Sequence, residues 1–397
     1  MSLQEAPRSI RVHIGIFGKR NSGKSSLINS LTNQSTAIVS KIAGTTTDPV
    51  YKSMEIYGIG PCVFIDTAGF DDVGEIGALR ISQTKKAMEK TDIAIMLFCD
   101  IVTKEEKDWV LQLKKSNIPV IFAINKIDVI ENSQHIKKSI EDEFDASPIM
   151  VSTLSGEGID KIRTELIRAL PADFEGESIT PNFLQKDDVV LLVMPQDIQA
   201  PKGRIILPQL QVTRELLDKK CIIISITTDS IDTALAELKN PPKLIITDSQ
   251  IFKTVYEKKP KESLLTSFSI LMAGYKGDLD YFVKSASAIE GLTENSRVLI
   301  AEACTHAPLT EDIGREKLPR WLREKIGEAL VIDVVSGSNF PEDVSGYDLI
   351  IHCGGCMFNK KYLLSRVEKA RCANVPMSNY GVVIAYLSDI LEKINLL

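Results

Sequence analysis

The sequence predicts an α/β chain in which three parallel sheets follow one another. Two observations carry that expectation. Near the N terminus an apolar run, Arg11 to Phe17, breaks into Gly18-Lys19-Arg20-Asn21-Ser22-Gly23-Lys24-Ser25 and then opens a helix at Ser26-Leu27-Ile28-Asn29. Beyond it, apolar runs of strand length alternate with helical stretches to the end of the chain, the pattern of parallel βα units. At 397 residues the chain exceeds one ordinary core, since domains run to about 100–200 residues.

Composition narrows the class. Apolar content of 44% and charged content of 25% are those of a globular protein. No apolar run approaches the ~20 residues of a membrane helix, and Met1-Ser2-Leu3-Gln4-Glu5 lacks the basic and apolar blocks of a leader. The expectation is a cytoplasmic chain with no membrane partner. A net charge of -6 argues against non-specific nucleic-acid binding. Seven cysteines, an odd number in a reducing compartment, point to metal binding or burial rather than a disulfide framework. Cys62, Cys99 and Cys221 lie in or beside strand-like runs and read as core residues, while Cys372 stands near the end of a helical stretch.

The glycine-rich loop is a phosphate loop in its required strand-loop-helix setting. Gly18 and Gly23 let backbone N–H groups turn toward phosphates at a helix N terminus, Lys24 reaches the β and γ phosphates, and the Ser25 hydroxyl ligates magnesium. Farther on, the strand 120–124 ends in Asn125-Lys126-Ile127-Asp128. The Asp128 carboxylate accepts from guanine N1 and N2 hydrogens, an arrangement adenine does not offer, so GTP is expected over ATP. Ser152-Thr153-Leu154 follows another strand and completes that pocket. Val63-Phe64-Ile65 leads into Asp66-Thr67-Ala68-Gly69, where Asp66 holds magnesium through water and the Gly69 amide senses the γ-phosphate.

Over about residues 11–170 these motifs resemble the TrmE-Era-like GTPases. The resemblance implies that Thr46, in the loop bearing Thr45 and Thr47, closes on magnesium, and that Asn21 helps coordinate potassium beside the phosphates; a loop-stabilising amide is the plainer reading of Asn21. Lys24, Asp66, Gly69 and Thr46 form the expected catalytic set. Gly18, Asn21, Ser22, Gly23, Lys24, Ser25, Ser26, Asn125, Lys126, Asp128, Ser152, Thr153 and Leu154 form the nucleotide set. Phe70 stands where Ras-like proteins carry the water-orienting glutamine, so hydrolysis is expected to be slow and potassium-stimulated.

Pro171 to Pro181 reads as a linker, after which strands are expected at 188–194, 221–226 and 244–247 and helices at 209–219, 231–238 and 249–256. No catalytic cluster appears there, and Asp197, Lys202 and Arg204 sit in a proline-flanked loop. The region reads as an assembly module, giving a homodimer or higher homo-oligomer, with a rigid spacer as the alternative. Lys258 to Lys261 reads as a hinge into a third unit with strands at 298–301, 330–335 and 349–351, helices at 281–289, 318–328 and 360–370, and an amphipathic closing helix at 382–394. The expected domains are 1–172, 173–260 and 261–397.

In that third unit the strand 298–301 is followed by Cys304-Thr305-His306, and 349–351 by His352-Cys353-Gly354-Gly355-Cys356. If the strands are parallel neighbours, Cys304, Cys353 and Cys356 meet in one crevice. Three thiolates suit an iron-sulfur cluster or zinc, and the spacing leaves both open.

The fold class that follows is a P-loop GTPase domain with two smaller α/β parallel-sheet domains behind it. With the paired cysteine motifs, the chain resembles over essentially its whole length the HydF family, GTPases and scaffolds of FeFe-hydrogenase maturation. The resemblance implies a 4Fe-4S cluster on Cys304, Cys353 and Cys356, a transient two-iron precursor bearing carbonyl and cyanide, and delivery to apo-hydrogenase. It further implies partnership with two radical-SAM maturases. His306 and His352 would ligate the fourth iron or support the site, with Glu302, Glu311 or Asp312 as a carboxylate alternative. A ribosome or RNA assembly GTPase with structural zinc is the rival; the acidic balance and the lack of an RNA-binding motif weigh against it. A zinc-stabilised switch without cargo is a third reading.

Overall fold

A computed structural model describes residues 11–32, 49–56, 59–69, 75–170, 178–195, 206–303 and 312–395. The chain divides into two compact units, Met1–Gly176 and Glu177–Leu397. The first runs β1 (Val12–Phe17), α1 (Lys24–Thr32), β2 (Val50–Ile56), β3 (Gly60–Asp66), α2 (Glu75–Met88), β4 (Ile93–Phe98), α3 (Lys104–Lys115), β5 (Val120–Ile124), α4 (Ser133–Phe144), β6 (Ile149–Met150) and α5 (Ile159–Arg168).

Its six strands order β2-β3-β1-β4-β5-β6, parallel except for β2 against β3. Every residue of β1 and β4 is buried. That is why these segments read as unbroken apolar runs: a parallel strand is covered on both faces. One face packs Leu27 and Ile28 of α1 with Ile162 and Leu166 of α5; the other packs Val110 and Leu113 of α3 with Ile136 and Ile140 of α4. The expected nucleotide residues all leave the carboxyl ends of β1, β3, β5 and β6, where ligands bind in open α/β sheets.

The second unit runs β7 (Val189–Val193), α6 (Leu207–Asp218), β8 (Ile222–Ile226), α7 (Ile231–Glu237), β9 (Leu244–Thr247), α8 (Phe252–Lys258), β10 (Leu264–Ser267), α9 (Phe268–Lys276), α10 (Leu279–Ala286), β11 (Arg297–Glu302), α11 (Leu318–Ile326), β12 (Val331–Ser336), β13 (Leu349–His352), α12 (Lys360–Cys372), β14 (Met377–Asn379) and α13 (Tyr380–Leu387). Two parallel four-stranded sheets result, ordered β10-β9-β7-β8 and β12-β11-β13-β14. One apolar cluster joins them, with Leu191, Ile245 and Leu265 from the first sheet and Leu299, Ile350 and Met377 from the second.

Three expectations need correction. The boundary at 260 falls inside the first of these sheets, because β10 returns to pair with β9 from Leu264↔Leu244 to Ser267↔Thr247. The charged segment Lys258 to Lys261 is therefore a connection between a helix and an edge strand. The closing helix is not amphipathic: Val382, Val383, Ile384 and Ala385 are all buried, so α13 lies inside the core and ends at Leu387. Asn395 then fastens the tail to β10, donating its backbone N–H to Leu265 O at 2.8 Å. Helix α9 and strand β14 were not expected; the first is hidden in the aperiodic apolar run 264–275 and the second spans three residues. Asp197, Lys202 and Arg204 lie outside the described residues, and among those described no helix is long and apolar enough to cross a membrane.

Candidate functional site

The phosphate loop curls because three residues take left-handed backbone: Gly18 at φ 153°, Asn21 at 59° and Gly23 at 94°. The loop is also crowded. A Cβ on Gly18 would stand 2.5 Å from Leu97 O, and one on Gly23 2.2 Å from Asn125 Nδ2. Inside the curl Lys24 Nζ donates to the carbonyls of Gly18 at 2.9 Å and Lys19 at 2.6 Å. Ser22 Oγ is buried against Gly18 with no hydrogen-bond partner among the described residues. A cation, an unpartnered hydroxyl and a helix N terminus face one concavity, a fit for phosphate.

Across it, Ser25 Oγ donates to Asp66 Oδ2 at 2.5 Å. Burial raises the Asp66 carboxyl above its ordinary range, and the Ser25 hydrogen bond with the charges of Lys24 and Lys52 draws it back. A hydroxyl and a buried carboxylate side by side are hard oxygen donors suited to magnesium. Gly69 closes on the loop so tightly that a Cβ there would meet Arg20 N at 2.6 Å. Thr46 and Phe70 lie outside the described residues.

The base end is tied to the phosphate end by Asn125, which is fully buried. Its Nδ2 donates to Ser22 O at 2.9 Å, and its Oδ1 accepts from Thr153 N at 3.2 Å. Lys126 at φ 63° turns the chain, and Asp128 Oδ1 accepts from Ser152 Oγ at 2.6 Å. Ser30 of α1 donates to the carbonyls of Ser26 and Thr153, both at 3.1 Å. Leu154 is 85% exposed. One contact went unforeseen: Glu106, buried at the start of α3, accepts from Thr103 N at 2.9 Å and pairs with Lys19 Nζ of the loop at 3.3 Å. The spacing of Thr103 and Glu106 is a capping-box signal that the sequence does carry.

In the second unit β11 and β13 are parallel neighbours, with Ala301 opposite His352, so the cysteine turn does leave a strand end beside the one that precedes Cys304. Cys353 and Cys356 are both half-buried on a turn in which Gly355 has φ 62°. Ala303 N donates to Cys353 Sγ at 3.0 Å. Burial pushes the Cys353 thiol up to about 11, the Cys356 charge adding to it, while backbone N–H groups and Arg366 oppose the rise. Cys304, His306 and Glu311 lie outside the described residues, and among those described no three His, Cys, Asp or Glu side chains gather as a metal site.

His352 closes β13. It is fully buried, with Nδ1 2.7 Å from Cys353 O and Nε2 2.9 Å from Arg366 Nη1. A carbonyl only accepts and a guanidinium only donates, so the ring is neutral with its proton on Nδ1. Burial first, then Arg366, takes its pKa down to about 3. Of the carboxylates, Glu302 Oε2 accepts from Arg315 Nε at 3.2 Å, and Asp312 Oδ1 accepts from the backbone N–H groups of Gly314 and Arg315.

Two buried cations frame the turn, and both were missed. Arg366, 1% exposed, donates to Gly337 O at 2.5 Å and lies within 4.8 Å of the ring centroids of Phe340, Phe358 and Tyr362. Lys276, fully buried at the end of α9, donates to the carbonyls of Gly355, Cys356 and Phe358 at 3.2, 3.3 and 2.7 Å. Neither has a carboxylate partner among the described residues. Two thiols, N–H donors to sulfur and uncompensated cations are a donor set that fits an anionic thiolate-bound centre.

Comparison with known proteins accords with this division. Residues 13–126 match the 50S ribosome-binding GTPase family. GTPase Der of Wolinella succinogenes is 36% identical over 42% of this chain and 37% of its own length, and tRNA modification GTPase MnmE of Nitrosomonas eutropha is 36% identical over 40% and 35%. The chain thus spans little more than a third of the curated relatives it matches. Era of Aquifex aeolicus, as a point variant bound to GDP and aluminium fluoride, aligns over 64% of this chain and 99% of its own at 18% identity and a TM-score of 0.38. Farther along, two domains of one protein family match, the hydrogen maturase F dimerization domain over 179–277 and its tetramerization domain over 280–395. With a GTPase domain in front of both, the chain belongs to the hydrogen maturase F family.

Proposed function

We propose that the chain is a GTP-hydrolysing scaffold and carrier for FeFe-hydrogenase maturation. In the nucleotide half, Lys24 and the loop amides would neutralise and orient the phosphates, while Ser25 and, through water, Asp66 would hold magnesium, which supplies charge stabilisation when bound. Asp128 selects guanine, and Asn125 keeps the base pocket and phosphate loop in register. Catalysis of this kind is positioning and charge stabilisation, so the protein supplies geometry rather than a covalent step. Asn21, held in left-handed backbone beside the phosphates, is our candidate for the potassium site that offsets the missing glutamine at Phe70.

In the other half, Cys353 and Cys356 with Cys304 would hold a 4Fe-4S cluster, which supplies an anionic, exchangeable iron centre when bound. The residues of this chain fix its surroundings: Arg366 and His352 anchor the strand end, and the glycines let the turn close. A two-iron precursor with carbonyl and cyanide ligands is the cargo, radical-SAM maturases its source and apo-hydrogenase its acceptor. The observation that carries this reading is the pair of buried cations, Lys276 and Arg366, with no carboxylate partner among the described residues, at a cysteine turn within the residues matched by the tetramerization domain. Self-association is supported by the dimerization and tetramerization domain matches, and by Ile222 on edge strand β8 at 49% exposure and Leu210 and Leu217 on α6 at 53% and 52%, apolar side chains that a second copy would cover.

The test is activation of apo-hydrogenase by protein purified anaerobically after co-expression with the maturases. The reading requires activation by the wild-type chain and none by Cys353→Ser; equal activation by the two would contradict it.

A further inference from the structure

A buried ammonium is costly unless its three hydrogens are bonded and its charge is answered. At Lys276 the first condition is met by the carbonyls of Gly355, Cys356 and Phe358, which span the cysteine turn. The second is not met by any carboxylate among the described residues. The turn itself is short, with Phe358 N donating back to Gly355 O at 3.0 Å, so one ammonium reaches three of its carbonyls. Helix α9 carries Lys276 rigidly, because Ile270, Leu271, Met272 and Ala273 before it are buried.

We propose that Lys276 is a positioning residue for the cysteine turn, clamping its carbonyls while supplying the positive charge that balances a thiolate-bound centre on Cys353 and Cys356. A thiolate carries a negative charge that a nearby ammonium answers. Thiolates bound to metal keep that negative charge permanently, so lysine and centre stabilise each other. The same charge favours the reduced, more negative state of an iron-sulfur centre, so Lys276 raises its reduction potential. This rests on the cluster reading above, yet the clamp stands on the protein's own hydrogen bonds and is separable from it.

The experiment compares full-length wild type with Lys276→Met and Lys276→Gln, each checked for a cooperative thermal transition. Metal-free protein is alkylated with iodoacetamide and the rate at Cys356 is read by mass spectrometry. The same proteins are then reconstituted anaerobically with ferrous iron and sulfide, and the midpoint potential is measured. Lys276→Met loses clamp and charge, so alkylation should accelerate and the potential should fall. Lys276→Gln keeps amide donors without the charge, so alkylation should stay nearer wild type while the potential falls as in Met. Should wild type take up no cluster, the cluster reading fails and alkylation alone decides the clamp. Unchanged alkylation in Lys276→Met would overturn the clamp, and unchanged potentials in both variants the charge role. Failure of both variants to fold would make Lys276 a core residue and overturn the proposal.

Discussion

At the nucleotide site the polar side chains converge on a concavity, and at the cysteine turn they converge on backbone. Lys24 lies within a curl made by its own neighbours, Gly18 and Lys19, whereas Lys276 crosses some 80 residues of sequence to hold Cys356 O. The first arrangement is local and the second tertiary. A phosphate loop is therefore set by glycines and the helix it opens, while the cysteine turn keeps its shape only when α9, α12 and β13 have packed. The curl around Lys24 is local, although Asn125 and Asp66 then tie it to the rest of the first unit. A cargo platform of the second kind depends on its whole domain.

Variants can break this contrast at either end. The largest effect is expected for Lys24→Ala, which removes the cation facing the phosphates and should lower GTP turnover by about 10²–10³-fold; retention of full turnover would remove Lys24 from the chemistry. Next, Arg366→Met leaves Gly337 O and His352 Nε2 without their donor and should destabilise the second unit by about 2–3 kcal/mol in urea unfolding. An equal loss in the GTPase unit would erase the distinction between local and tertiary support. Asp128→Asn should weaken GTP binding by about 10–100-fold through loss of a charged hydrogen bond, and it should favour xanthosine triphosphate, since an amide donates to the extra carbonyl. Smallest is the cation effect: turnover should be faster in potassium than in sodium at equal ionic strength, and equal rates would leave Asn21 a loop-stabilising residue.

The same contrast explains what was legible beforehand. Gly18 to Ser25, Asp66 to Gly69 and Asn125 to Asp128 announce themselves because their geometry depends on neighbours a few positions away. The pairing of β11 with β13 was also within reach, since buried parallel strands read as apolar runs. Lys276 was not. Its role appears only when α9 packs under the turn, although it is the single charged residue between 264 and 277, a signal that a lysine there is buried rather than solvated. His352 is the opposite case: beside two cysteines it reads as a ligand, and its contact with Arg366, fourteen positions away, is one that no local pattern shows. The boundary expected at 260 failed because a cluster of lysines and a proline marks a surface connection equally well inside a domain or between two.

The most direct test of the account is the iron, acid-labile sulfide and zinc content of full-length protein purified anaerobically, measured beside Cys356→Ser with GTP turnover on the same samples. The account predicts about four irons per wild-type chain, severe iron loss in the variant, and turnover within about twofold of wild type, since the nucleotide residues belong to a separate compact unit. Stoichiometric zinc without iron, or iron that survives Cys356→Ser, would contradict it.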